Sequence, residues 1–233
     1  VVCGKKTVFF TNNDSAYETA ISLNKKGLNV EAIIDIREKS DSELVKEVEK
    51  NGIQIYWSHT VVDTHGYKRL NEISIMPLSK DSMSVIKKKI SIKCDCLAIT
   101  GGWTPAVHLF TQSGGKLKFR EEDQVFLPNK SQSKQISIGS CNGDFELNKI
   151  FKNLLIKVKN FLKIENTEYD NLNIECSSNT VKKNIWLLPS NKVIGKTKPF
   201  VDFQNDSTAK DIKLALREGF RSIEHVKRYT TTG

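Results

Sequence analysis

Three short stretches carry residue types at spacings suited to chemistry, and all three suit the handling of a nucleotide. The first is Thr11-Asn12-Asn13-Asp14-Ser15, between an apolar run and a helical pattern. A helix N-terminus offers free N–H groups and the positive end of its dipole, so a dinucleotide's pyrophosphate fits there. The glycine-rich fingerprint that lets backbone approach the phosphates is absent, and Asp14 puts negative charge where phosphate belongs. The same five residues also read as the cap of a purely structural helix. The second stretch is Asp35, about twenty residues after the turn, where an acidic residue takes the adenosine ribose 2′-hydroxyl in NAD binders. Arg37 lies just beyond and would instead suit a 2′-phosphate; the position of Asp35 favours NAD. The third is Gly101-Gly102, followed by Trp103-Thr104-Pro105 after an apolar run. Paired glycines after a strand admit a cofactor or make a tight turn. Gly139 to Gly143, including Asn142, repeats that theme before a helical pattern.

Other reactive residues form no constellation. Cys94-Asp95-Cys96 stands alone, whereas a zinc site needs four ligands, usually from two paired motifs. His59, His65, His108 and His225 are scattered, and no Gly-x-Ser-x-Gly elbow occurs. The sequence predicts no catalytic residue and no metal site of its own. The 5 cysteines are an odd number at irregular spacings, which argues against a disulfide framework and for a reducing cytoplasm.

The elements that must hold these residues are legible from periodicity. Residues 7–10 read as a buried strand. Ala16, Ala20, Ile21 and Leu23 then recur at helical spacing, and Gly27 supplies the stop. Residues 30–34 form a second strand, a helix through Leu44, Val45 and Val48 begins at Ser40 or Ser42, and residues 53–57 form a third strand. Strand–helix–strand–helix–strand with short turns predicts a parallel, doubly wound sheet. Residues 59–99 break the pattern: 61–62, 73–76 and 85–92 read as antiparallel strands inserted into that sheet. Residues 96–100 return to the buried type. A last strand is expected at 135–139, then a helix through Phe145, Leu147, Ile150, Phe151, Leu154 and Leu155. Residues 165–183, rich in Asn, Ser and Lys, read as a mobile connection. A short strand at 185–188 follows, then one or two helices, 208–218, broken by Gly219, and 222–229.

Composition limits the classes. With 233 residues, one or two domains are expected. No apolar run approaches the ~20 residues needed to span a bilayer, so no membrane is expected. The net charge of +9 comes from dispersed lysines with no basic–aromatic stripe, so a solvated surface is expected and no nucleic acid. The chain opens on Val1 without Met or signal peptide and stops at Gly233, and both ends read as cut from something longer.

Four blocks are more specific. They are residues 8–17; residues 101–117, with Gly101-Gly102-Trp103-Thr104-Pro105-Ala106-Val107-His108-Leu109-Phe110 and Gln112-Ser113-Gly114-Gly115-Lys116-Leu117; Phe200-Val201-Asp202-Phe203-Gln204-Asn205-Asp206 through Ile212; and Arg217-Glu218-Gly219-Phe220-Arg221-Ser222 through Gly233. In type and order they resemble the alpha subunits of heterotetrameric sarcosine oxidase, over nearly the whole chain. Residues 119–133 and 157–196 match no motif of that family.

The resemblance implies a middle fragment of a larger subunit. It implies an α/β fold: a Rossmann-like FAD/NAD(P)-binding domain of glutathione-reductase type, with an inserted antiparallel β segment and a small helical C-terminal domain. The domains expected are residues 1–105, NAD-binding; 106–165, the return segment of the FAD/NAD-type domain; 166–196, a linker; and 197–233, a helical domain related to [2Fe–2S] domains. Such domains hold their cluster with thiolates, and Asp202 and Gln204 stand where the Cys-x-Cys would be, so the cluster is expected to be lost.

The implied activity is oxidative demethylation of sarcosine. Electrons would pass through flavins to oxygen, and the carbon to tetrahydrofolate bound in a C-terminal part beyond this chain. The implied cofactors are NAD here and FMN at the interface with the beta subunit. Asn12, Asn13, Asp14, Ser15 and Asp35 are the NAD contacts the resemblance carries over, which makes the glycine-free turn a family trait. Gly101, Gly102, Gly139 and Asn142 complete the candidate cofactor-binding set. The implied partners are beta, gamma and delta subunits, with a small amine substrate reached through beta. Two alternatives remain: a non-catalytic assembly subunit with a vestigial nucleotide fold, and a subunit of a related dimethylglycine or proline dehydrogenase.

Overall fold

A computed structural model of the chain describes residues 3–163, 183–192 and 197–233. The expected mobile connection lies almost wholly outside them. The chain divides into two compact units, one of residues 1–58 and 94–184, the other of residues 59–93 and 185–233.

The first unit begins with β1 (Lys6–Thr11), α1 (Ser15–Lys25), β2 (Asn29–Asp35), α2 (Glu43–Lys50) and β3 (Gln54–Trp57). Val8, Phe9 and Phe10 make β1 a buried strand. Ala16, Tyr17, Ala20 and Ile21 recur on one face of α1, which packs on the sheet through them. Helix α2 starts where Ser42 Oγ accepts the Val45 N–H at 3.4 Å. The parallel sheet has the order β3-β2-β1-β7, where β7 is Cys96–Thr100. Its core is Phe9, Tyr17, Ala20, Ile33, Val45, Val48, Ile53 and their neighbours. The register aligns Thr11 with Asp35, Thr11 with Thr100, and Asp35 with Trp57. All four strands therefore end on one line, at the carboxyl edge where ligands of open α/β sheets bind.

The inserted strands β4 (His59–Gly66), β5 (Leu70–Pro77) and β6 (Ile90–Lys93) belong to the second unit and form an antiparallel sheet in that order. The strand expected from residue 85 begins only at Ile90; before it, Val85 makes a single bridge to Leu78. The lysines 87–89 are exposed and lack the alternation that a half-buried strand needs.

After β7 the first unit continues with α3 (His108–Gln112), β8 (Lys116–Arg120), β9 (Val125–Lys130) and α4 (Leu147–Leu162). The β8–β9 hairpin is absent from the sequence reading. Its turn carries Gln124 at φ +54°, and Val125 and Leu127 are its buried residues. The strand expected at residues 135–139 does not form: 135–138 are irregular and Gly139–Asn142 is a short 3₁₀ turn. Its alternating pattern is present, but a strand exists only against a paired edge. The strand expected at 185–188 is likewise irregular, with Trp186 exposed to solvent.

The second unit ends in β10 (Phe200–Asp202), β11 (Ser207–Thr208), α5 (Ala209–Arg217) and α6 (Ile223–Thr230). Asp211 Oδ2 accepts from the Thr208 backbone N–H at 2.8 Å and its hydroxyl at 2.7 Å, which starts α5. Ala215 and Val226 are buried, and the Phe220 and Tyr229 rings meet at 4.7 Å.

Candidate functional site

The turn after β1 is built from side-chain amides where nucleotide folds usually place glycines. Thr11, Asn12 and Asn13 are buried. The Asn13 N–H donates to Thr11 Oγ1 at 3.0 Å, and that hydroxyl donates to the Asn13 carbonyl at 2.8 Å. Asn13 Oδ1 accepts the Ser15 N–H at 3.1 Å and its hydroxyl at 2.5 Å. Asn13 Nδ2 donates to Asn12 Oδ1 at 2.8 Å and to Thr100 Oγ1 at 3.1 Å. Asn12 Nδ2 donates to the Gly101 carbonyl at 3.0 Å and to Asn184 Oδ1 at 3.3 Å. The two asparagines thus tie the end of β1 to the end of β7. Gly102 follows at φ +98°, and a Cβ there would stand 3.4 Å from Asn12 Oδ1. Bare backbone beside Asn12 is a cradle that a side chain would fill.

At the end of β2 the arrangement is ionic. Asp35 is fully buried. Tyr17 Oη donates to Asp35 Oδ2 at 2.8 Å, and the Arg37 backbone N–H donates to Oδ1 at 2.8 Å. Arg37 Nε lies 3.1 Å from both carboxylate oxygens and Nη2 lies 2.7 Å from Oδ2. The remaining arm, Nη1, meets Asp14 Oδ1 at 2.8 Å. The guanidinium also stands 5.9 Å from the centre of the Tyr17 ring, which stacks on Trp57 at 6.0 Å. Burial pushes the Tyr17 hydroxyl's pKa upward, and the neighbouring Asp35 charge adds to it. Burial alone would make Arg37 easier to deprotonate, but the Asp35 and Asp14 carboxylates outweigh it and raise its pKa.

The structure therefore brings seven of the expected residues to one edge: Asn12, Asn13, Asp14, Ser15, Asp35, Gly101 and Gly102. Gly139 and Asn142 lie on the 3₁₀ turn beside β9 and α4. There Asn142 lines a cavity of about 530 Å³ with Phe110, Pro128, Gln135, Lys157 and Phe161. Sequence reasoning missed Tyr17 and Thr100, and gave Arg37 only a ligand role. The available signal was Arg37 two residues past Asp35, the spacing of a local carboxylate–guanidinium pair.

For a bound dinucleotide, the Asn12 turn and the Gly101–Gly102 backbone fit. Asp35 fits only once Tyr17 yields the oxygen lone pair it occupies. Elsewhere, Asp95 accepts the Lys5 and Lys6 backbone N–H groups at 2.9 and 2.7 Å, tying the chain's start to β7, and the adjacent Cys94 is buried. Among the described residues no group of three His, Cys, Asp or Glu side chains gathers to hold a metal ion, and no helix is long and apolar enough to cross a membrane.

In the last segment, Asp202 organises the loop between β10 and β11. Oδ1 accepts from the Gln204 and Asn205 N–H groups at 2.8 and 3.3 Å. Oδ2 accepts from Asn205 Nδ2 at 2.8 Å and the Gly233 N–H at 3.0 Å. The Gly233 N–H, the Asn205 amide and the Gln204 N–H hold its carboxyl at about 2.

The sarcosine oxidase A3 domain matches residues 196–233. The sarcosine oxidase subunit alpha of Corynebacterium sp. (strain P-1) is 28% identical over 99% of this chain and 24% of its own length. That of Rhizobium meliloti (strain 1021) is 28% identical over 100% of this chain and 22% of its own. The chain thus spans about a quarter of the length of the curated relatives it matches. Among solved structures, L-proline dehydrogenase from P. horikoshii aligns over 98% of this chain and 40% of its own, with 14% identity and a TM-score of 0.44. The chain is similar along its whole length, at 28% identity, to alpha subunits of sarcosine oxidase, and its last segment matches the sarcosine oxidase A3 domain.

Proposed function

We propose that this chain is the nucleotide-binding part of a sarcosine-oxidase-type alpha subunit, an oxidoreductase acting on the CH–NH group of an N-methyl amino acid. The observation that carries it is the convergence of Asn12, Asn13, Gly101 and Gly102 at the carboxyl edge of the parallel sheet, in a chain related over its whole length to those subunits. Residues 1–105 form the NAD-binding domain, 106–165 the return segment, 166–196 the linker and 197–233 a scaffold domain. The flavins, the beta subunit's FAD and an FMN at its interface with this subunit, supply the oxidation and electron transfer, and this part holds NAD. The protein's contribution is to hold and orient them. Asn12 and the Gly101–Gly102 backbone take the pyrophosphate side, and Asp35 faces the adenosine ribose. Gly139 and Asn142 serve the part of the nucleotide fold nearest α4. Beta, gamma and delta subunits complete the enzyme, with tetrahydrofolate accepting the carbon in the larger subunit, in the cytoplasm.

A second reading rests on a specific observation: Asp35 is already committed to Arg37 and Tyr17. That suits an assembly subunit whose nucleotide fold is vestigial. Calorimetric titration of NAD into the folded chain, with Gly102→Leu as control, separates the two. Saturable binding that the control loses supports the cofactor reading. Absence of binding to the folded chain supports the assembly reading.

A further inference from the structure

Asp14 occupies a place of its own in the ionic network. It precedes α1 as the N-cap residue, yet its side chain does not cap the helix. It turns to Arg37 and meets Nη1 at 2.8 Å, with 14% of the Asp14 side chain and 9% of the Arg37 side chain exposed. The remaining atoms of the fork, Nε and Nη2, are engaged by Asp35, its neighbour on the same strand end. The Nη1–Asp14 contact is therefore a side-chain ion pair that joins the end of β2 to the start of α1.

A carboxylate at this point has two favourable partners: the positive end of the α1 dipole and one arm of a guanidinium. Those are the partners that a ligand phosphate arriving at a helix N-terminus would seek. Asp14 thus resembles a phosphate supplied by the chain itself. With Asp14, Asp35 and Arg37 charged and Tyr17 neutral, the cluster carries one excess negative charge, which repels an incoming diphosphate.

We infer that the Asp14–Arg37 pair is an electrostatic latch on the dinucleotide site: Asp14 holds the arm of Arg37 that a ligand phosphate takes, and the ligand binds by displacing it. This rests on the dinucleotide reading above. Arg37 then plays two roles. Its Nε–Nη2 side stays on Asp35 and fixes the end of β2, while Nη1 exchanges a carboxylate for a phosphate. Released from Arg37, Asp14 caps α1 or turns to solvent.

The test is a double-mutant cycle read by calorimetric titration of the full chain, with NAD as the charged probe and adenosine as the neutral one. Asp14→Asn removes the competing anion and keeps a side chain suited to a helix N-cap. It is expected to tighten NAD binding about tenfold, which corresponds to about 1.4 kcal/mol, and to leave adenosine binding unchanged. The gain is expected to disappear when Asp14→Asn is combined with Arg37→Met. Should the methionine variant fail to fold, Arg37→Lys keeps a cation beside Asp35 without the fork that reaches both carboxylates, and the gain should shrink to under about threefold. An equal gain with or without Arg37 would mean simple charge repulsion and overturns the latch. Unchanged NAD affinity in Asp14→Asn also overturns it, while the dinucleotide reading stands. Failure of wild type and folded variants alike to bind NAD overturns both.

Discussion

Tyr17 Oη donates a 2.8 Å hydrogen bond to Asp35 Oδ2, joining the first turn of α1 to the end of β2 inside the core. Tyr17→Phe keeps the ring that packs on Trp57 and removes only this bond. A hydrogen bond to a charged group contributes about 1.5–3 kcal/mol, so urea unfolding of the variant should show a loss in that range. A loss under about 0.5 kcal/mol would mean that Arg37 alone satisfies the carboxylate.

The same hydroxyl sets an alkaline limit. Its pKa in the folded chain is raised above the ordinary value of 10.0, first by burial and then by Asp35. The folded state therefore keeps its proton where the unfolded state loses it. The stabilisation is full below about pH 10 and declines as pH rises beyond it. Unfolding curves between pH 9 and about 11 should fall more steeply for wild type than for Tyr17→Phe. Parallel curves would show that another group sets the alkaline limb.

Asp35 serves structure as well as any ligand. Asp35→Ala would leave the buried Arg37 guanidinium with its largest partner gone. Breaking one side of a buried pair costs about 3–5 kcal/mol, whereas replacing both sides with apolar groups is often close to neutral. Asp35→Leu with Arg37→Met should thus be more stable than Asp35→Ala alone, measured by thermal melting. The opposite order would show that the pair contributes net stability.

These relationships bear on what the sequence discloses. The parallel sheet was legible because Val8-Phe9-Phe10 and residues 30–34 are apolar runs bounded by turn residues, and the helix between them repeats its apolar positions. The insertion was legible from alternation in Ile73 and Ile75. The line joining Thr11, Asp35 and Thr100 followed from parallel strands of similar length. The partner of each polar side chain was not legible. Whether Asp35 meets a ligand or Arg37 depends on a rotamer and a three-dimensional neighbour, neither of which leaves a periodic trace. The β8–β9 hairpin was missed because its turn, residues 121–124, contains neither Gly nor Pro; it is closed instead by an Arg120–Asp123 ion pair. The strand expected at 135–139 failed for the converse reason, since a correct alternation does not supply an edge to pair with.

Gly66 ends β4 at φ +152°, and a Cβ there would lie 1.9 Å from the Arg69 carbonyl oxygen, which is backbone and cannot step aside. Gly66→Ala must open the turn that sets the β4–β5 register. Local backbone strain of this kind costs about 1–3 kcal/mol. Amide hydrogen exchange should report it as lost protection in residues 59–77 with residues 6–35 unchanged, and unaltered exchange throughout would show that the hairpin tolerates a wider turn.

Asp202 ties the acid stability of the last segment to the loop between β10 and β11. Its carboxyl is held at about 2, below the ordinary 3.8, by the Gly233 N–H, the Asn205 amide and the Gln204 N–H. A depressed pKa stabilises the fold above about pH 4, and that contribution is lost as pH falls through about 2. Asp202→Asn should therefore flatten the acid limb of the stability curve in that window, read by circular dichroism of the helices α5 and α6. The carboxylate draws residues 204, 205 and 233 onto one group. On the proposed reading of residues 197–233 as a scaffold domain, the purified chain should contain no iron or acid-labile sulfide and still show those helices. Two irons per chain would contradict the scaffold role of this domain, and helices that survive Asp202→Asn with an unchanged acid limb would show that the loop is ordered by β10 and β11 alone.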